Sequence, residues 1–415
     1  LENVLNQHQI ASSIKKMVEA IEEMNEAVIV TAVRTAQGKF EGTLKGFSAP
    51  QLGGLAIKEA VKKAHIHPSE VNEVIMGNVV SAGLGQNVAR QAAIAAGIPY
   101  EAACFHVDKV CGSSLKAVIL AAQAIKLGES DCIVAGGMES MTNCPYYLDK
   151  ARFGYRIFDG KLIDAMVHDG LWDAYNNFHM GMTGEIVAEK YHITRKDCDE
   201  IAASSHQKAA KATETGKFKD EIIPVEIKQK KGDPLIFTTD EGIRKDTTME
   251  SLGALKPFFK EGGVITAGNA SQITDGASAV LVMSKEKAKK HNLEILGTIK
   301  GYDVTGVKPE LVMEAPIPGV TNLFKKMNLS IDDIDLVEHN EAFSSASAAL
   351  IQEIGIPKEK FNIHGGAIAL GHPIGSSVTR ILVTLLHSLK QEKKHRGLAT
   401  ICLGGGHAVS LIVER

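Results

Sequence analysis

Residues 55–80 read LAIKEAVKKAHIHPSEVNEVIMGNVV, and residues 320–343 read VTNLFKKMNLSIDDIDLVEHNEAF. Both pass from a basic-ended helical pattern through a Ser-plus-acid cap to a short apolar strand, then to an asparagine, Asn78 in one and Asn340 in the other. From Asn78 to Cys111 is 33 residues, and from Asn340 to Pro373 is also 33. Order and spacing of unlike elements coincide, which shared helix propensity does not produce. The period is too long for a solenoid. The chain therefore reads as a duplicated α/β domain, with two equivalent Gly-Ser helix starts facing one site.

Working outward, AVIVTAVRT (27–35) predicts a strand and SAPQLGGLAIKEAVKKA (48–64) a helix. VNEVIMGNVV (71–80) then predicts a strand, NVARQAAIAAG (87–97) a helix, and DCIVAGGMES (131–140) a strand after a helix that starts near Cys111. Strands alternating with amphipathic helices predict a mostly parallel sheet. In the second copy GHPIGSSVTRILVTLL stands in place of VCGSSLKAVILAA, and LATICLGGGHA in place of DCIVAGGMES. Residues 142–273 differ in texture and carry the only Trp, Trp172. They read as an inserted loop domain for ligand binding and assembly. Its KQKKGDP run (228–234) predicts a solvated hairpin turn. The division expected is a tail at 1–23, a first half from 24–141 with 274–293, the insert at 142–273, and a second half at 294–415. The tail is expected to be helical; its five glutamates up to Glu26 argue against a transit segment, and Met24 is the expected start.

The 415 residues are 44% hydrophobic and 23% charged, with a formal net charge of -3. That balance supplies no basic field for nucleic acid, and no apolar run approaches the ~20 residues that span a bilayer. Neither partner is expected. The six cysteines have irregular spacing and no C-x-x-C pair, which argues against a disulfide framework or a zinc site and for a reducing, cytoplasmic location. No metal is expected.

Three residues carry the chemistry. Cys111 stands at the head of a helix, where unpaired N–H groups and the macrodipole are expected to lower a thiol pKa. His372, in ALGHPIGSS, occupies the related helix start and is the candidate base. Cys402, in TICLGGGHAV, ends the last apolar strand just before three glycines. Two thiols and one imidazole at element ends of a two-fold scaffold suggest that one thiol carries an acyl group while the other moves a proton. Cys104, Cys132, Cys144 and Cys198 have no comparable context and are expected to be structural.

These residues lie in seven blocks that occur in order: VCGSSLKAV, AGGMESMTN, FHMGMTGE, TAGNASQITDGASAVLVMS, EHNEAF, GGAIALGHPIG and CLGGG. In them, and from residue 27 almost to the end, the chain resembles the thiolase family. The resemblance implies two βαβαβαββ halves in five layers, αβαβα, whose central helices lie between two sheets. It also implies an acetyl-CoA C-acetyltransferase activity, the reversible Claisen condensation of two acetyl-CoA to acetoacetyl-CoA and CoA. Ping-pong kinetics would follow from an acetyl-Cys111 intermediate.

Carried over by motif, Cys111 is the nucleophile. His372 activates it and, with a water held by Asn340, forms one oxyanion hole; the N–H groups of Cys111 and Gly404 form the other. Cys402 is the acid/base at C2. FHMG (178–181) resembles the loop of the short-chain branch, so His179 and Met180 are expected to line the acyl and pantetheine pocket. Phe259 and Phe343 are its expected walls. Arg244, Ser251 and Ser271 match positions near bound coenzyme A. Coenzyme A thioesters are then substrates, no prosthetic group is expected, and a homotetramer built as a dimer of dimers is implied.

The pattern also departs from the family. His339 precedes NEAF where an apolar residue is usual, His407 follows the glycines, and VMEAPIP (312–318) replaces a Met-Gly-x-Gly-Pro pattern, which predicts an acetyl pocket of different shape. The two imidazoles are expected to be hydrogen-bonded supports, the alternative being a shifted pH optimum. A 3-ketoacyl-CoA thiolase of broader chain length is the neighbouring reading, against which FHMG speaks. A non-catalytic acyl-CoA-binding scaffold would be expected to have lost Cys111, His372 or Cys402, and all three are present.

Overall fold

The computed structural model describes residues 26–415, so the tail expected at 1–23 and the start expected at Met24 lie outside the described residues. The first half runs β1 (Ala27–Thr35), α1 (Ala49–Lys63), β2 (Glu73–Gly77), α2 (Val88–Ala95), β3 (Ala103–Val107), α3 (Ser113–Lys126) and β4 (Cys132–Ser140). A long segment carrying α4 (Gly181–Lys190) and α5 (Arg195–Glu214) follows, and then β5 (Thr274–Ser284). The second half runs β6 (Gly297–Gly306), α6 (Pro316–Met327), β7 (Leu336–His339), α7 (Ser344–Ile354), α8 (Ser377–Gln391), β8 (Arg396–Leu403) and β9 (His407–Glu414).

The duplication is visible strand by strand. The order β3-β2-β4-β5-β1 in the first half is matched by β7-β8-β9-β6 in the second. The counterpart of β3 shrinks to one bridge, Val337 to Phe361. Even the irregularities repeat: β1 bulges between Ile29 and Thr31, and β6 between Ile299 and Gly301. The two helix starts are offset, however. α3 begins 35 residues after Asn78 and α8 begins 37 after Asn340, because a turn at Pro373–Ser376 precedes α8.

Two expectations are corrected. The sheet is mixed, since β4, β5, β1, β6, β9 and β8 are successively antiparallel, while β2, β3 and β4, β7 with β8, and the short strand Ile222–Ile223 with β1 run parallel. No crossover helix separates β8 from β9; a glycine turn does, and it forces the antiparallel hairpin. Nor are there two separate sheets: β1 pairs with β6 at Val28–Thr298 and Ile29–Gly297, which joins the halves into one ladder.

Five layers nevertheless result. α1 and α2 cover the outer face of the first half, burying Leu52, Ile57 and Val88 against Val74, Val134 and Leu281. α6 covers the outer face of the second with Val320, Leu323 and Phe324, joined by Leu350 of α7. Between the half-sheets lie α3 and α8, whose Leu115, Ile119, Ile381 and Leu385 share one core with Ile133, Ile299 and Val409. A helix apolar nearly all round is one packed on every side. That packing points the N-terminal ends of α3 and α8 at one place. In the insert, Val225–Ile227 pairs antiparallel with Leu235–Phe237 and leaves the KQKKGDP turn exposed.

Candidate active site

Cys111 stands immediately before Gly112, the N-cap of α3. Ser113 fastens this turn: its N–H and its hydroxyl both donate to the Val110 carbonyl, at 3.1 and 2.6 Å, and its oxygen accepts from Lys109 N–H at 2.8 Å. Val110 is held at φ 47°, a left-handed conformation that costs a β-branched residue strain. The backbone N–H groups of Gly404 and of Cys111 itself are directed at the Cys111 sulfur.

The helix start does not dominate the thiol, contrary to expectation. Burial pushes Cys111 up to about 12, against the pull of those two N–H groups, and Glu139 and Asp108 push the same way as burial. Burial likewise raises Cys402, with Cys111 beside it adding to the effect. His372 is buried too, and burial, helped by the nearby Arg380 cation, lowers it to about 3. The resting site therefore holds two thiols and a neutral imidazole.

Asn340 follows β7, with its N–H on the Thr400 carbonyl at 3.2 Å. Its Nδ2 lies 3.5 Å from both ring nitrogens of His372, and its buried Oδ1 has no partner among the described residues. The Ser377 hydroxyl lies 2.5 Å from His372 Nδ1 and donates to the Pro373 carbonyl at 2.8 Å. Cys402 Sγ is 3.5 Å from Met313 Sδ.

A seam between the halves fixes these loops. The buried Glu139 carboxylate accepts from Asn78 Nδ2 at 2.8 Å, from Val79 and Val80 N–H at 3.0 and 3.2 Å, and from Gly375 N–H at 2.9 Å. Burial raises this carboxyl to about 7 in spite of its backbone donors. Gly137 permits the approach: a Cβ there would lie 2.0 Å from the Gly375 carbonyl oxygen.

The result is a cavity of about 50 Å³ into which Cys111, His372, Cys402 and Gly404 all face, with His179, Met180, Ser271 and Phe343. It adjoins a larger, mostly apolar cavity of about 270 Å³; Leu171, His179, Ser271, Phe343 and His372 belong to both, and Phe259 lines the larger one. His179 stacks on Phe259 at 4.8 Å, Phe259 meets Phe343 edge-on at 6.0 Å, and burial lowers the His179 imidazole below its ordinary value. A thioester could enter along the apolar cavity and present its carbonyl to the two sulfurs.

Arg244 and Ser251 are exposed and line neither cavity; the Ser251 hydroxyl is spent on the Thr248 carbonyl at 2.9 Å. His339 faces away, 3.0 Å from the Ser347 hydroxyl and tilted against Phe361, while His407 is exposed. Sequence reasoning did not name Val110, Leu171, Val312, Met313, Ser377 or Glu139. The VMEAPIP departure was the available signal for Val312 and Met313. Among the described residues, no group of three His, Cys, Asp or Glu is placed to hold a metal.

The thiolase N-terminal domain model matches residues 27–286, and the thiolase C-terminal domain model matches residues 293–415. The chain belongs to the thiolase family. It is 50% identical over 392 residues to an acetyl-CoA acetyltransferase of Cupriavidus necator, covering 94% of this chain and 100% of that protein. It is 51% identical over 393 residues to one of Syntrophomonas wolfei, covering 94% and 99%. The crystal structure of the Bacillus anthracis acetyl-CoA acetyltransferase superimposes with a TM-score of 0.92 at 40% identity, covering 95% of this thiolase and 99% of that chain.

Proposed function

We propose that this thiolase is an acetyl-CoA C-acetyltransferase, which interconverts two acetyl-CoA with acetoacetyl-CoA and CoA. The observation that carries this reading is the convergence of two thiols, one neutral imidazole and a pair of backbone N–H groups on a single small cavity.

In the cleavage direction, His372 Nε2 takes the Cys111 proton as the sulfur attacks C3 of acetoacetyl-CoA. Because the thiol rests neutral, proton transfer accompanies attack. The N–H groups of Cys111 and Gly404 receive the oxyanion. The C2–C3 bond then breaks, Cys402 protonates C2 of the departing acetyl-CoA, and acetyl-Cys111 remains. Coenzyme A gives its thiol proton to the Cys402 thiolate and attacks the acetyl group; the Cys111 thiolate leaves and takes back its proton from His372, and a second acetyl-CoA is released. The enolate oxygen formed on the way is held by protonated His372 and a water on Asn340, a role that the unpartnered Oδ1 of Asn340 supports.

His179, Met180, Ser271, Phe259 and Phe343 are assigned to the acyl and pantetheine path, and Arg244 and Ser251 to the surface end of coenzyme A. Residues 24–141 with 274–293, 142–273 and 294–415 are the proposed structural divisions. Exposed Phe153, Ile157, Phe158 and Leu162 in the insert support burial against another copy, as the proposed homotetramer requires. A cytoplasmic location is proposed; among the described residues, no helix is long and apolar enough to cross a membrane.

Intact mass after mixing with acetoacetyl-CoA alone tests the core of this reading. A single acetyl adduct is expected in the wild type, the same adduct formed more slowly in Cys402→Ser, which lacks the acid that protonates C2, and none in Cys111→Ala. No adduct in the wild type, with coenzyme A still bound, would sink the proposal.

A further inference from the structure

Met313 belongs to a 3-10 turn, Pro309–Glu314, and is only 3% exposed. Its Sδ lies 3.5 Å from Cys402 Sγ, with the thiol proton directed at the thioether. Both side chains line the cavity of about 50 Å³ that also receives Cys111 and His372. Sulfur atoms at that separation are in van der Waals contact, so no other heavy atom fits between them.

This contact bears on the substrate, given the role proposed for Cys402. A thiol that moves a proton at C2 must stand beside C2, and any substituent on that carbon must share the space around Cys402 Sγ. Met313 occupies part of that space. A glycine there, as in the usual Met-Gly-x-Gly-Pro pattern, would leave it open. The thioether chain is unbranched and adaptable, so the wall it makes discriminates without being absolute.

We infer that Met313 is a specificity-determining residue that disfavours branching at C2, selecting 3-oxoacyl thioesters with an unsubstituted C2. The inference rests on the proposed role of Cys402.

The test is thiolytic cleavage of acetoacetyl-CoA and of 2-methylacetoacetyl-CoA by the wild type and by Met313→Gly, Met313→Ala and Met313→Leu. The quantity read is the ratio of the two kcat/KM values, with acetylation of Cys111 followed by mass to show that each variant is intact. The wild type is expected to favour the unbranched substrate by about ten- to two-hundredfold, the usual worth of one methyl-sized group against a packed wall. Met313→Gly and Met313→Ala should shrink that ratio by about tenfold or more. Met313→Leu, which keeps the bulk and loses the sulfur, should retain it. An unchanged ratio in both small variants, with Cys111 still acetylated, overturns the inference and leaves the proposed activity standing. Equal cleavage of both substrates by the wild type does the same. A wild type that cleaves neither and acquires no acetyl group overturns the activity and the inference together.

Discussion

Ser377 Oγ lies 2.5 Å from His372 Nδ1 and spends its only proton on the Pro373 carbonyl. With the hydroxyl proton on that carbonyl, the imidazole donates from Nδ1, which leaves Nε2 with the lone pair that a base requires. Ser377 is a positioning residue: it sets the tautomer without touching substrate. Ser377→Ala is expected to lower kcat by about ten- to a hundredfold, a share of what a well-placed base contributes, with KM little changed. Ser377→Thr, which keeps the hydroxyl, should recover most of the loss. A KM effect with unaltered kcat would show that Ser377 merely shapes the pocket.

The repeat at 55–80 and 320–343 made the architecture legible, because helix, cap, strand and asparagine recur in order and the hydrophobic periods require those elements. The pairing of β1 with β6 was not legible: two residue pairs at strand edges leave no mark on composition. Cys111, His372, Cys402 and Asn340 could be named from glycine-rich element ends and family motifs. Their protonation could not. The helix start argued for a low Cys111 pKa, yet desolvation belongs to the packed whole and outweighs a local dipole. Ser377 and Glu139 act through contacts 5 and 236 residues away in sequence, and such contacts exist only once the chain is folded.

His339 is fully buried, and burial alone lowers it to about 3. In the unfolded chain a histidine titrates near ~6.5, so as pH falls the unfolded state takes up the proton first. The contribution of His339 is thus present at neutral pH and lost progressively from ~6.5 downward. His339→Leu should remove about 2 kcal/mol of acid destabilisation between about pH 6.5 and 5. The check is the thermal midpoint at both pH values, with an unchanged pH optimum for activity because the ring faces Ser347 and not the cavity. Equal acid loss in wild type and variant would refute the assignment.

Arg34 anchors the insert to β1. Its Nε meets Glu221 at 2.6 Å, its two terminal nitrogens meet Asp240 at 2.7 and 2.9 Å, and none of the three side chains is appreciably exposed. Glu221 also accepts from the Thr384 hydroxyl of α8 at 3.1 Å, so one cation ties three parts of the fold. Arg34→Met leaves two buried carboxylates without their hydrogen-bonded counter-charge, and the buried Arg380 acts on them only through space. A loss of about 3–5 kcal/mol is expected from a denaturant midpoint at neutral pH. Recovery of part of that loss in Arg34→Lys, which keeps the charge without the guanidinium's shape, would identify charge rather than packing as the cause.

Gly137 lies at a close approach of the two halves behind the active site. A Cβ at this position would stand 2.0 Å from the Gly375 carbonyl oxygen, and backbone cannot rotate out of the way as a side chain can. Either β4 or the 371–377 turn must then move, and β4 is held on both sides by β2 and β5. The turn yields more easily, and it carries His372, Ser377 and the Gly375 N–H bound to Glu139. A displacement of about 1 Å in a positioned base costs on the order of a hundredfold in rate. Gly137→Ala should therefore lose about that much in kcat. Gly46→Ala, where an added Cβ meets nothing within 4 Å, should match the wild type. If Gly137→Ala keeps full kcat and loses only thermal stability, the close approach serves packing alone, and the seam through Glu139 does not position the base.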